Sequence, residues 1–386
     1  PPMSATAPQH TQPEPYAPPT RLLAGPGPSN VDPRVLAAMD KPLVSHLDPS
    51  FWDRLPILAE MISAYYGRED GVSMTLSMSG TSGMEAGILN LVAPGDTVIA
   101  ASGGFFGNRI QEMLRRRGAN LIALDVPFGQ HVPNDRILET LAAHPEAAMV
   151  CVVHSETSTG VRHPVQELGE AMQAMGSDAL LYVDCVTSIG AIPIEADAWG
   201  IDYAYACSQK ALAAPPGLSP ITISTRAIER LGRNGMPVPY SMDLAELIKY
   251  WVDRPMTYHH TTPNLGYYAL DEALRLGLEE GLEERYARHA DAGAYIQAGF
   301  RERGFDLLAD PACQLAQLSA VRVPDGVDGK AIQGTLLNDH GIEVGGGLGP
   351  TAPPIWRVGM MGVNANRETA DRVLAAFDAV LPNGAH

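Results

Sequence analysis

Apolar runs and amphipathic stretches alternate along most of this chain, and their two periods lay out its elements. Leu55, Leu58, Met61, Ile62 and Tyr65 recur at helical spacing and predict a helix over 51–66. Strands are then predicted at 73–78, 97–101, 121–124, 149–153 and 180–184, with helices over 83–92, 108–117, 135–143 and 165–175 between them. Two more apolar runs, 203–207 and 221–224, extend the series. These runs are apolar throughout instead of alternating, as in strands covered on both faces. The rhythm implies an α/β fold with a largely parallel sheet and helices on both sides.

After residue 224 the pattern changes. A helix over 244–251 leads into Tyr258-His259-His260-Thr261-Thr262-Pro263, a polar segment without a regular period. A long helical stretch over about 264–303 follows. Strand 318–323, helix 330–338, strands 342–344 and 355–358, and helix 368–381 then make a compact α+β unit. The expected division is an extended arm over 1–21, a large domain over 22–281 and a smaller C-terminal domain over 282–386. The arm rests on composition: seven of the first twenty residues are proline and almost none are aliphatic. It lacks the basic start and apolar centre of a secretion signal.

Charge and cysteine content narrow the class. With 27 basic against 44 acidic residues the net charge is −17, which argues against nucleic acid or an anionic membrane as partner. No apolar run approaches the ~20 residues of a membrane span. Cys151, Cys185, Cys207 and Cys313 are scattered, with no two at metal-ligand spacing, and read as buried free thiols in a reducing cytosol. His259 and His260 have no ligand partner at useful spacing, so no metal site is expected.

Candidate chemistry gathers where strands end, since parallel sheets bind ligands beyond their carboxyl ends. Lys210 follows the 203–207 run and precedes a Pro-Pro-Gly break, where an apolar setting lowers an amine's pKa and makes it a nucleophile for carbonyls. Asp184 ends the 180–184 run. A lysine for a Schiff base and an aspartate for a pyridinium nitrogen are what pyridoxal phosphate asks of a protein. Ser79-Gly80-Thr81-Ser82-Gly83 opens a helix; it suits a phosphate at a helix N-terminus, or is an ordinary N-cap. No Gly-Lys-Ser/Thr follows it, so it is not a nucleotide P-loop. His154-Ser155-Glu156-Thr157-Ser158-Thr159-Gly160 ends another strand and is read as a self-satisfied turn; no Gly-x-Ser-x-Gly elbow supports a hydrolase. Arg357, flanked by strand formers, is either half of an ion pair or a fork for a carboxylate. Gly345–Pro350 reads as a flexible loop feeding that strand.

Taken in order, these motifs resemble those of class V aminotransferases of fold type I, in particular the alanine–glyoxylate and serine–pyruvate type. The resemblance runs from about Leu22 to Leu381. It is carried by Gly25-Pro26-Gly27-Pro28-Ser29-Asn30, Ser79-Gly80-Thr81, Glu156–Gly160, Val183-Asp184, Ser208-Gln209-Lys210-Ala211-Leu212, Tyr258-His259-His260-Thr261, Gly345–Pro350 and Arg357. It implies a mostly parallel sheet of the seven-stranded type and a pyridoxal 5'-phosphate cofactor. Lys210 would hold the cofactor and move the proton at Cα, and Asp184 would keep the pyridine nitrogen protonated. Thr157 would bond the ring's 3-oxygen. Ser79, Gly80, Thr81 and Gln209 would cradle the phosphate, with Tyr258 and Thr261 reaching it from the partner of a homodimer. Arg357 would bind the substrate carboxylate, beside Gly27 and Thr157. The ring-stacking position falls on Phe106, and Thr81 stands where relatives carry His, which bears on substrate preference.

The resulting expectation is a cytoplasmic, ping-pong aminotransferase moving an amino group from alanine or serine to a small 2-oxo acid, glyoxylate or pyruvate. Two rivals use the same cofactor: a cysteine desulfurase, which would need Cys313 as a thiolate on a mobile loop, and a biosynthetic enzyme acting on a larger amine or keto substrate. A non-catalytic binding protein would leave the Lys210 and Asp184 pair without a purpose.

Overall fold

The structure is a computed structural model describing residues 14–232, 237–254 and 257–381. Residues 1–13, the greater part of the expected arm, lie outside the described residues. Seven strands form the main sheet: β1 (Gly71–Leu76), β2 (Thr97–Ser102), β3 (Asn120–Asp125), β4 (Met149–Val153), β5 (Leu180–Asp184), β6 (Tyr203–Tyr205) and β7 (Ser219–Ser224). Their spatial order is β1-β7-β6-β5-β4-β2-β3. All neighbouring pairs are parallel except those made by β7, which runs antiparallel to β1 and β6. The wholly apolar runs form the centre. Every residue of β2, β4 and β5 is buried, with helices packed on both faces, as near-continuous hydrophobic strands require.

The register brings the polar strand ends into line. Asp184 closes β5 opposite Tyr205 of β6 and Val153 of β4. Two tyrosines then seat the helix Gly80–Leu91 above them. Tyr182 and Tyr203 stack at 5.4 Å and donate to the carbonyls of Met84 (2.6 Å) and Gly83 (2.7 Å). Gly87 admits their rings, because a Cβ there would lie 2.3 Å from the Tyr203 ring. That helix begins at Gly80, three residues earlier than its poor helix formers suggest, so Thr81 lies in its first turn.

The long helical stretch is two helices, Asn264–Glu280 and Leu282–Glu302, broken at Gly281 with φ 91°. Beyond it a second apolar core gathers Ile296, Phe300, Trp356 and Phe377. It is faced by a three-stranded antiparallel sheet of β8 (Leu318–Arg322), β9 (Gly345–Gly346) and β10 (Ile355–Gly359), with β10 central. Gly345 and Gly346 are not a flexible loop but a short strand, because their backbone pairs with Arg357 and Trp356. Leu22–Leu23 pairs in parallel with Ile342–Glu343, and Ala24 joins the second core. Gly281 thus separates the two helices, and the Leu22–Leu23 strand packs with the elements C-terminal to it.

Candidate active site

Four backbone segments meet at Lys210, the last two being the turns that follow β4 and β5. The first carries the lysine itself. Past β6 the chain makes a tight turn in which Ala214 N–H bonds Ser208 O, and Ala213 takes a left-handed φ of 56°. The second is the loop Gly25–Asn30, where Ser29 donates its hydroxyl to Lys210 O (2.7 Å) and its N–H to Gln209 O (2.8 Å). Gly27, at φ 112°, lies against the lysine stem: a Cβ there would sit 2.9 Å from Lys210 Cγ. The third is the turn after β4. Thr157 and, from the turn after β5, Thr187 each take a hydrogen bond from Lys210 Nζ, at 3.0 and 2.9 Å. The two threonine hydroxyls are themselves bonded to each other.

Lys210 is 7% exposed, whereas the chain's other lysines, Lys41, Lys249 and Lys330, are all exposed. Burial pushes its amine below the usual lysine range, against the pull of Cys207 and Asp184. Neutral amine is the form that attacks carbonyls. The Phe106 ring stands 5.7 Å from Nζ. Glu156 fixes that aromatic: its carboxylate accepts from the N–H groups of Phe106 and Gly107, both at 3.1 Å, and from the Ser158 hydroxyl at 2.6 Å. A buried carboxylate at a helix start is favourable there.

Asp184 is buried and receives the Tyr205 hydroxyl at 2.5 Å and the Val186 N–H at 2.8 Å. Burial raises its pKa to about 6, and these two hydrogen bonds oppose the rise. Arg357 reaches the same region from β10. It is buried, and its one side-chain hydrogen bond goes to Gly346 O at 2.7 Å. Burial depresses its guanidinium to about 10, opposed by Glu156. Among the described residues no carboxylate pairs with it, so the ion-pair reading of Arg357 finds no partner there.

Ser79 caps the helix Gly80–Leu91 by position only, and its side chain makes no cap bond to its own helix. Its hydroxyl lies 3.4 Å from Ser82 Oγ. Gly80 is wedged against the Lys210 turn: a Cβ would meet Cys207 Cβ at 3.1 Å and Val186 Cγ2 at 3.4 Å. Thr81 is exposed and accepts from Arg109 at 3.2 Å. The side-chain oxygen of Gln209 is buried and meets no hydrogen-bond donor among the described residues. Tyr258 and Thr261 stand apart. Both are exposed, Tyr258 at 53%, and neither side chain has a hydrogen bond among the described residues. His259 and His260 bond each other at 2.9 Å, and His260 reaches Ser77 at 2.8 Å, which is structural use. Among the described residues no group of three His, Cys, Asp or Glu could hold a metal, and no helix is long and apolar enough to cross a membrane.

Sequence reasoning missed Thr187, Tyr205 and Ser29. A polar residue three past the end of β5 was a readable signal for Thr187. Tyr205 could be found only through the β5–β6 register.

Pyridoxal phosphate fits this arrangement. An amine lowered by burial, an acid at one strand end, and a helix start without a side-chain cap, flanked by the Ser79 and Thr81 hydroxyls, all suit a ligand of that chemistry. The comparisons agree. The family model described as Aminotransferase class-V matches residues 73–364. The alanine–glyoxylate aminotransferase of Oryctolagus cuniculus is 36% identical over 379 residues, 97% of this chain and 96% of that protein. The (S)-ureidoglycine–glyoxylate transaminase of Bacillus subtilis is also 36% identical, over 94% of this chain and 91% of that one. A crystal structure of alanine–glyoxylate aminotransferase from Nostoc sp. superposes with a TM-score of 0.94 at 43% identity, covering 98% of this chain and all of that one. This chain belongs to the class-V aminotransferase family and is a pyridoxal-phosphate-dependent transaminase.

Proposed function

We propose that this enzyme moves an amino group from alanine, or another small amino acid such as serine, to glyoxylate. The observation that carries the reading is Arg357: a buried guanidinium without a carboxylate partner among the described residues, close enough to Lys210 to influence its proton affinity. A planar fork of that kind suits the α-carboxylate of an amino or 2-oxo acid. Glyoxylate as acceptor is supported by the two relatives of equal identity, whose names share it and differ in the donor.

The bound cofactor supplies a carbonyl for the incoming amine and a ring that accepts the electrons released at Cα. The chain's own groups do the rest. Arg357 holds the substrate carboxylate, which fixes one bond at Cα. Lys210, its proton affinity lowered by burial and its amine aimed by Thr157 and Thr187, would take the proton from the substrate Cα. Asp184, held by Tyr205 and Val186, keeps its charge against the ring nitrogen. Ser79, Gly80, Thr81 and Gln209 receive the phosphate, and Phe106 covers the ring. Tyr258 and Thr261 complete the site of a second copy of the chain. The four cysteines are free and buried, which suits a reducing cytoplasm.

A larger donor such as ureidoglycine is the second reading, favoured by the equally similar Bacillus subtilis relative. The desulfurase reading loses its thiolate: Cys313 is buried, its Sγ lies 3.8 Å from Gly129 O, and burial raises its pKa. Single-turnover mixing of the holoenzyme with alanine, serine, ureidoglycine and cysteine in turn tests the proposal by the loss of cofactor absorbance. Alanine or serine should react fastest, and glyoxylate should restore the spectrum. Reaction with ureidoglycine alone would move the donor to the second reading. Sulfide release from cysteine would overturn both.

A further inference from the structure

The loop expected to receive the cofactor phosphate contains no charged side chain. Ser79, Gly80 and Thr81 offer two hydroxyls and the backbone of a helix start. The phosphate brings close to two negative charges into a protein whose net charge is already −17. The two buried cations of the site are otherwise engaged. Lys210 already donates to two threonines, and Arg357 is tied to Gly346 in the C-terminal sheet.

Arg109 stands where a cation is missing. It rises from the helix Phe105–Arg117, one turn beyond Phe106, and donates to Thr81 Oγ1 at 3.2 Å. Its guanidinium carbon lies 4.9 Å from the centre of the Phe105 ring and 5.0 Å from that of Phe106, so two aromatics hold it in place. Its neighbour at the next turn, Glu112, is committed to Arg115 and Arg116 instead. Arg109 thus has no carboxylate partner among the described residues while bridging the helix that carries Phe106 and the helix start at Gly80. A guanidinium with free donors beside an uncharged anion cradle has one evident use.

We propose that Arg109 is the phosphate's positive partner, binding the cofactor phosphate alongside Thr81 and holding the Phe106 helix against the same cradle. The inference rests on the reading of Ser79–Thr81 as the phosphate site, and its test separates the two. Full-length protein freed of cofactor would be titrated with pyridoxal 5'-phosphate and, separately, with pyridoxal, which lacks the phosphate. Binding is read from the absorbance change. The parent should prefer the phosphorylated form strongly. Arg109→Met keeps an apolar stem on the two rings and removes the charge. It should raise the dissociation constant for pyridoxal phosphate roughly ten- to hundredfold and leave that for pyridoxal unchanged. Arg109→Lys, with charge but no fork, should fall between. Equal weakening of both ligands, or no change in either, would overturn the role of Arg109. A parent that binds both ligands equally would overturn the phosphate cradle itself, and the inference with it.

Discussion

At the scale of single residues, environment decides what Lys210, Asp184 and Arg357 can do. A buried acid whose pKa is raised to about 6 favours the protonated form in the fold. Unfolded, it titrates near its ordinary value, so the folded chain binds the extra proton between about pH 4 and that raised value. Its contribution to stability therefore falls as pH rises through this window and stays low above it. Cofactor-free Asp184→Asn should accordingly be more stable than the parent at neutral pH, with the advantage shrinking toward pH 4.5; urea unfolding at the two values measures it. In the loaded enzyme the same variant should lose Cα proton abstraction far more than substrate affinity. For Arg357, lysine is no replacement, because it cannot present the fork. With a charge-assisted hydrogen bond worth about 1.5–3 kcal/mol, Arg357→Lys should raise the amino-donor KM about tenfold or more, and an unchanged kcat/KM would put the carboxylate elsewhere. The key polar residues were legible because strand ends and turns expose them: Lys210 before Pro-Pro-Gly, and Asp184 closing an apolar run. Their immediate partners were not. Tyr205 is an ordinary strand tyrosine until the register sets it opposite Asp184.

At the scale of elements, the loop Gly25–Asn30 joins the Lys210 turn to the sheet that carries Arg357. Ser29 holds the turn, and Gly359 N–H bonds Ala24 O on the other side. Gly27 has no room for a side chain and a φ that disfavours one. Gly27→Ala should therefore lose about 1–3 kcal/mol of stability, read from denaturant unfolding, and should weaken cofactor binding by displacing the lysine stem. Elements were legible in proportion to their apolar content. Strands 149–153 and 180–184 follow from the sequence to the residue, being short apolar runs that end at polar residues. The helix at Gly80 starts earlier than Gly-Thr-Ser-Gly suggests, because the Tyr182 and Tyr203 hydroxyls below it donate to the carbonyls of Met84 and Gly83. The Gly345–Gly346 strand has no side chains to announce it, and the break at Gly281 hides inside a helical period.

At the scale of the whole molecule, Tyr258 and Thr261 are the residues this single chain leaves unexplained. Both are exposed, and no hydrogen-bond partner meets either side chain among the described residues. If each site is completed by a second copy, two inactive variants should rescue one another. One carries Lys210→Ala, the other Tyr258→Ala with Thr261→Ala. Random exchange makes half the dimers mixed, and each mixed dimer holds one intact site, so about a quarter of parental activity should return at limiting cofactor. No recovery under conditions that demonstrably exchange subunits would assign the two residues to their own chain.

The central claim, that Lys210 holds the cofactor, can be tested most directly by covalent trapping. Reduction of the holoenzyme with borohydride, digestion and peptide mapping locate the pyridoxyl group. Of the four lysines only Lys210 is buried beside Phe106, Thr157 and Thr187. The label is predicted on Lys210 alone, in the peptide containing Ser208-Gln209-Lys210. A label on Lys41, Lys249 or Lys330 in place of Lys210 would contradict the account.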